Sequence, residues 1–296
     1  MKLYHQFLSN NDCFRSGKTM IPTGVMIHST GANNPCVSRY VPGDEILGRN
    51  TAGNHWDQSN AQWKAKFGVP LNKCVHAFVG KLADGSVGVV QTLPWATRGW
   101  HAGGSANETY IGFEICEDGL EDVDYFAEVY RTAAQLAAHL CGQFGLDPEQ
   151  DGAVICHAEG YRRGIASNHA DVEHWFSRFG VTMEDFRKDV RAIMDGEVLQ
   201  AEREEFADSF EHYRKNLQDN DHGQWSTQAL EWAKEHGLFS GAPGEDGQPN
   251  YMWEDFVTRE QLAVILYKLS VSCFFGERGF SGRVPYPDKR GKGAKF

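Results

Sequence analysis

Val25-Met26-Ile27-His28-Ser29-Thr30 is an apolar run that stops on an imidazole and two hydroxyls. The same shape returns in Ile111-Gly112-Phe113-Glu114-Ile115. It returns again in Val154-Ile155-Cys156-His157-Ala158-Glu159, which is followed by Asn168-His169-Ala170-Asp171. Short apolar runs that end in ionisable residues read as strands delivering side chains to one cleft, because backbone held in a sheet fixes what it carries. Histidines with a nearby carboxylate are the donor types of a catalytic zinc site, which takes three protein ligands and keeps one position open.

The flanking sequence supplies the frame. Met20 to His28 and Tyr110 to Cys116 read as strands, and Val75–Gly80 and Val87–Thr92 flank the turn residues Asp84-Gly85 as a hairpin would. Phe126, Val129, Ala133, Leu136, Ala137 and Leu140 recur at helical spacing within Tyr125–Phe144, with Gly145 as the stop. Val154–Cys156 is a short buried strand. Interleaved strands and helices predict an α/β fold, a mixed central β-sheet flanked by helices, over residues 1–195. Residues 196–222 turn abruptly to Glu, Arg, Asp and Gln and are expected to form a solvated, helical linker. Residues 223–296 are expected to form a small helical C-terminal domain. In it, Trp225, Ala229, Trp232 and Ala233 fall at helical spacing, and Thr258 caps the apolar stretch Leu262–Leu269 with Gln261 three residues on.

Composition removes several classes of function. A formal charge of −11 over 296 residues argues against a nucleic-acid partner, which needs clustered Lys and Arg. The only basic cluster, Lys289 to Lys295, reads as a solvated end. No run approaches the roughly 20 apolar residues of a membrane span. Seven scattered cysteines without CxxC spacing favour reduced thiols over a disulfide scaffold. Met1 to Asp12 has no apolar stretch of the signal-peptide type, so synthesis in the cytoplasm and action after release by other means are expected.

Within the cleft, His28 and His157 are the first two candidate ligands, and the third comes from Asn168-His169-Ala170-Asp171, brought back by the loop Gly160–Ser167. A lone histidine is more often a satisfied core residue, and this ordered set is what lifts the reading above that one. Glu114, between Phe113 and Ile115, is an unusual place for a carboxylate without work or a partner. Cys156 beside His157 raises a cysteine-nucleophile alternative. Adjacent strand residues face opposite ways, so Cys156 reads instead as a buried structural thiol.

The His28 strand, Val75-His76-Ala77-Phe78, Gly99-Trp100-His101-Ala102-Gly103, Ile111 to Ile115 and His157-Ala158-Glu159 occur in the order of the zinc N-acetylmuramoyl-L-alanine amidases. The chain most resembles the amidase-2 family shared by phage endolysins and peptidoglycan recognition proteins, over roughly residues 20–180. The resemblance implies zinc as cofactor, bacterial peptidoglycan as partner, and cleavage of the amide between N-acetylmuramic acid and L-alanine by a phage or prophage lysin. It implies Asp171 as the third ligand, Glu114 as the base and His169 as the oxyanion-stabilising group, with His169 as ligand the open alternative. The family's proline after the ligand is Val172 here, and the loop after His157 is longer. His76, Trp100, His101 and Asn107 resemble groove-lining positions that bind substrate. The unit around Trp232-Ala233, Gly237-Leu238 and Gly241 resembles one S-layer-homology module, which implies binding to a secondary wall polymer or a role in a homo-oligomer. The competing reading is a non-catalytic peptidoglycan-binding protein on the same fold.

Overall fold

The computed structural model describes residues 1–197, 203–216, 226–239, 241–243, 249–251, 262, 264–267 and 269. The chain divides into two compact units, Met1–Asn216 and Leu217–Phe296.

The first unit is built on six strands: β1 (Leu3–His5), β2 (Gly24–Ser29), β3 (Ala77–Lys81), β4 (Val87–Gln91), β5 (Tyr110–Ile115) and β6 (Val154–Cys156). Their spatial order is β1-β4-β3-β5-β2-β6. Only the β3–β4 hairpin is antiparallel, so the sheet is mixed as expected. Strand β1, with only three residues, lacked the length for a periodic signal. The helices are α1 (Asp12–Arg15), α2 (Asn60–Phe67), α3 (Val123–Phe144), α4 (His157–Arg162), α5 (Glu173–Phe176), α6 (Met183–Met194) and α7 (Arg203–Asn216). Helix α3 starts where the Asp122 side chain accepts from the Tyr125 amide, and it ends at Gly145, whose φ of 65° is left-handed backbone that glycine adopts without strain.

The period of two along each strand sorts side chains into two layers. Val25, Ile27, Ala77, Val79, Val89, Ile111, Phe113, Ile115, Val154 and Cys156 join the core beneath α3, α5 and α6. The opposite face carries Met26 and Ile155 in one small cluster, and Phe78 and Val90 in another with Tyr40 and Trp56. His28 and Glu114 fall on that second face, opposite one another in adjacent parallel strands. His157, one residue past β6, follows the same alternation and leaves Cys156 on the α3 side.

Two expectations are corrected here. Gly160–Ser167 is not all loop, because α4 begins at His157 itself and continues to Arg162, with Glu159 accepting from the Cys156 amide at its start. The charged stretch 196–222 is not a solvated linker throughout. Phe210 is buried in the main core, and Phe206 packs edge-on against Phe126 with ring centroids 5.2 Å apart. Two phenylalanines four residues apart give α7 an apolar stripe that its charged average conceals.

The second unit contains α8 (Thr227–Glu235) and the short antiparallel pair β7 (Ala242–Pro243) and β8 (Pro249–Asn250). Ala233 and Leu238 are buried, while Trp232 is 44% exposed and stacks on His236. Leu262, Val264 and Leu266 are exposed. Trp225 and the cap at Thr258 with Gln261 lie outside the described residues. Among the described residues, no helix is long and apolar enough to cross a membrane.

Candidate active site

The parallel strands β2, β5 and β6 lie side by side, and the site residues gather toward their carboxyl ends, where open α/β sheets place ligands. His28 and Glu114 come from strand interiors, His157 from the first turn of α4, and Asp171 from the loop before α5. His28, His157 and Asp171 bring one ligand atom each within 4.8 Å of the others. The separations are 3.0 Å between His28 Nδ1 and His157 Nδ1, 3.2 Å from His28 Nδ1 to Asp171 Oδ2, and 3.6 Å from His157 Nδ1 to Asp171 Oδ2. Ligands about 2.0–2.1 Å from a tetrahedral zinc ion stand about 3.3 Å apart, so the triangle has the size such an ion requires.

The hydrogen-bond network sets the tautomers to match. His101 Nε2 lies 3.1 Å from the Tyr110 carbonyl, which only accepts, so that nitrogen carries the proton. Its Nδ1 is then an acceptor, and His28 Nε2, 2.9 Å away, donates to it. His28 Nδ1 is left with a bare lone pair. On the other side, Ser167 Oγ donates to the Ala102 carbonyl at 3.2 Å and accepts from His157 Nε2 at 3.2 Å, which frees His157 Nδ1 in the same way. Two lone pairs and a carboxylate oxygen that face one another repel unless a cation or a proton lies between them.

Electrostatics follow from enclosure and neighbours. Burial lowers the pKa of His28 against the raising influence of Asp171, and burial followed by the neighbouring histidines His28 and His76 lowers that of His101 well below its ordinary value. In the metal-free chain burial pushes the Asp171 carboxyl up, but a His157 or His28 ring that takes on a second proton would donate to it and carry charge, and that pull outweighs burial and holds the acid far below the usual carboxylate range. Glu114 goes the other way. Burial, and then repulsion from Asp171, raise its pKa to about 8 against a smaller lowering by Lys73. Its Oε2 is enclosed and has no hydrogen-bond partner.

The expected groove residues separate into different roles. His76 is fully buried, with Nε2 2.7 Å from the Thr97 carbonyl and Nδ1 accepting from the Gly112 amide at 3.0 Å, so it braces the sheet and cannot meet a substrate. Asn107 Oδ1 accepts from the backbone amides of His101 and Ala102, both at 2.9 Å, and so fixes their loop rather than lining the groove. His101 is spent on His28 and Tyr110. Trp100 is half-buried, its backbone paired with Cys74 and its side chain packed against the core cluster to which Cys74 and Val75 belong. His169 is exposed on the loop before Asp171, its ring 4.5 Å from that of His157 and its Nδ1 3.1 Å from Ser167 Oγ, outside the converging triangle. Cys156 is buried on the α3 side and its thiol is pushed up to about 12, chiefly by burial, which sets it apart from nucleophile chemistry. Ser167 gave no sequence signal, because it acts through fold contacts with no local pattern.

Residues 18–174, more than half of the chain, match the family described as N-acetylmuramoyl-L-alanine amidase. The chain belongs to that family. No curated protein matches it. Among solved structures, this amidase is similar to the Staphylococcus aureus hydrolase AmiA in complex with its ligand, at 21% identity over 67% of this chain and 87% of that one, with a TM-score of 0.46. It is also similar to the catalytic domain of XlyA (22%, 64% and 99%, TM-score 0.41) and to a mutant endolysin from Bacillus subtilis (19%, 64% and 99%, TM-score 0.39).

Proposed function

We propose that this amidase-family chain hydrolyses the bond between the lactyl carboxyl of N-acetylmuramic acid and the amine of L-alanine, with a zinc ion held by His28 Nδ1, His157 Nδ1 and an Asp171 oxygen, as a phage or prophage lysin of peptidoglycan. The observation that carries the metal reading is the convergence of those three unprotonated donor atoms. When bound, zinc would supply a Lewis acid that polarises the scissile carbonyl and acidifies water toward neutral pH.

The chain's own residues supply the rest. Glu114, beside His28 across the β2–β5 pair, has an enclosed oxygen without a partner and an affinity for protons raised by burial. It is suited to take a proton from attacking water and return it to the leaving amine. A divalent cation close by would draw that affinity down, so the base works between the two influences. His169, exposed at the mouth, is the group we assign to the developing oxyanion. Trp100 is the remaining candidate for contact with substrate. We further infer that the second unit engages a secondary wall polymer or a second copy of the chain, on the strength of its likeness to one S-layer-homology module around Trp232 and Gly237.

Purified peptidoglycan treated with the protein should release stem peptides with a free L-alanine amine, read by mass, while chelation stops release and zinc restores it. Release that survives chelation would remove the metal from the reaction. Binding without any release would turn the reading to the non-catalytic alternative, against which the complete donor set and the partnerless Glu114 oxygen both argue.

A further inference from the structure

Past the triangle, a second polar cluster occupies the same ends of β2 and β5. Glu117, two residues beyond β5, is 1% exposed. Its Oε1 accepts from Ser29 Oγ at 2.5 Å and stands 3.1 Å from His174 Nε2. The Glu117 amide donates to Thr30 Oγ1 at 3.0 Å, and its carbonyl accepts from the Asn34 amide at 2.8 Å. A carboxylate buried this deeply is expensive unless its lone pairs are met, and here both charge and hydrogen bonds come from neighbouring segments.

His174 uses both ring nitrogens. While Nε2 faces Glu117, Nδ1 lies 3.4 Å from the carbonyl of Ala170, the residue before Asp171, and the His174 amide reaches the same carbonyl at 3.3 Å. Both ring partners only accept, so the ring that meets both is the doubly protonated cation. In agreement, burial lowers the pKa of His174 but the hydrogen bond and charge of Glu117 more than offset it and leave it raised. Asp171 is thus held from two sides. Its own carbonyl accepts from the Ala158 amide at 3.1 Å, which ties it to the helix of His157, and the carbonyl before it is tied through His174 to the strand ends that carry His28.

We propose that His174, braced by Glu117, is a positioning residue that sets where Asp171 stands relative to His28 and His157. The proposal rests on the metal reading above. A carboxylate on a loop has many rotamers and backbone excursions, and a metal site that must assemble it on binding loses affinity relative to one in which it is already placed. His174 touches no ligand atom, so its effect passes through the loop.

Zinc affinity, measured by chelator competition on the full chain, tests this with four proteins: the natural chain, His174→Gln, Asp171→Ala and the double variant. His174→Gln is expected to weaken zinc binding by ~10- to 100-fold, the scale for losing a partner of a ligand. In the Asp171→Ala background the same change should do almost nothing, since there is no third ligand left to place. Cobalt uptake should also give His174→Gln an altered visible absorption band, a signature that a loss of bulk stability does not produce. Glu117→Gln, which keeps the shape but loses the charge, should weaken zinc in the same direction by a smaller factor. Equal weakening in both backgrounds, or unchanged zinc affinity and cobalt spectrum with only a lowered melting temperature, would overturn the proposal. Failure of the natural chain to take up zinc would overturn the metal reading and this inference with it, whereas tight zinc binding that ignores His174 overturns the inference alone.

Discussion

His28 Nε2 donates to His101 Nδ1 over 2.9 Å, and His101 in turn donates to the Tyr110 carbonyl. The relay decides which nitrogen of His28 faces the cleft. It also explains Gly112, where a Cβ would stand 2.4 Å from atoms of the His101 ring. Only glycine lets that ring lie across β5 beside His28.

Removing the relay should therefore act on the metal before it acts on the fold. His101→Ala leaves the His28 ring free to choose its tautomer and should weaken zinc by ~10- to 100-fold. Gly112→Ala should follow the same trend by displacing the ring from below. Chelator competition on the two variants checks this, and unchanged affinity in both would show that the tautomer of His28 is fixed by something else.

Glu114→Gln tests the assigned base. The amide is nearly the same shape, so zinc should stay bound while turnover falls by ~10²-fold or more, the usual scale for a positioned acid or base. Near-native release of stem peptides by that variant would remove Glu114 from the reaction.

The same residue predicts a pH dependence of the metal-free protein. Its folded pKa, about 8, lies above the ordinary 4.5 of a glutamate, so the folded state holds the proton more tightly than the unfolded chain. Stability from this group is fully present below the ordinary value and is lost as pH rises through about 8. Melting temperatures of the metal-free chain should fall across that window, and Glu114→Gln should flatten the fall. A slope that Glu114→Gln leaves unchanged would assign the loss to other groups.

Much of this site was legible in the sequence because strands make local patterns. The runs ending at His28 and Glu114, and the run before His157, are each a short apolar stretch closed by an ionisable residue, which marks a buried strand. What stayed hidden depends on contacts between distant segments. His76 and His101 look alike as histidines near a cleft, yet one is locked between Thr97 and Gly112 while the other steers His28. Nothing local separates them, because the partners are backbone groups that every residue possesses. Glu117 and His174 were silent for the same reason, being 57 residues apart and joined only by the fold. The start of α4 at His157 was hidden by the glycines and arginines that follow it.

Helix α7 gives a prediction about stability. Phe210 stacks on Phe179 with centroids 5.0 Å apart and is 8% exposed, while Phe206 meets Phe126 and Tyr130. Burying a phenylalanine this fully is worth ~3 kcal/mol or more against alanine. Phe210→Ala should lower the stability of the first unit by that order in denaturant unfolding, and a fragment that stops at Asp195 should be less stable than one that runs to Asn216. Equal midpoints for the two fragments would return this stretch to the role of a linker.

The last prediction separates the two candidates on the loop before α5. Asp171 Oδ2 lies 3.2 Å from His28 Nδ1 and 3.6 Å from His157 Nδ1, whereas the exposed His169 reaches the cluster through Ser167. If this geometry is the one that holds zinc, Asp171→Ala leaves two ligands and an incomplete site, so most of the bound metal should be lost on dialysis. His169→Ala keeps all three ligands. It should retain zinc and lose activity by ~10²- to 10³-fold, the scale for removing one donor to an oxyanion. Zinc content and peptide release measured on the same two preparations decide between them. Metal lost from His169→Ala and kept by Asp171→Ala would exchange the two roles, and a His169→Ala variant with full zinc and full activity would leave the oxyanion to another group.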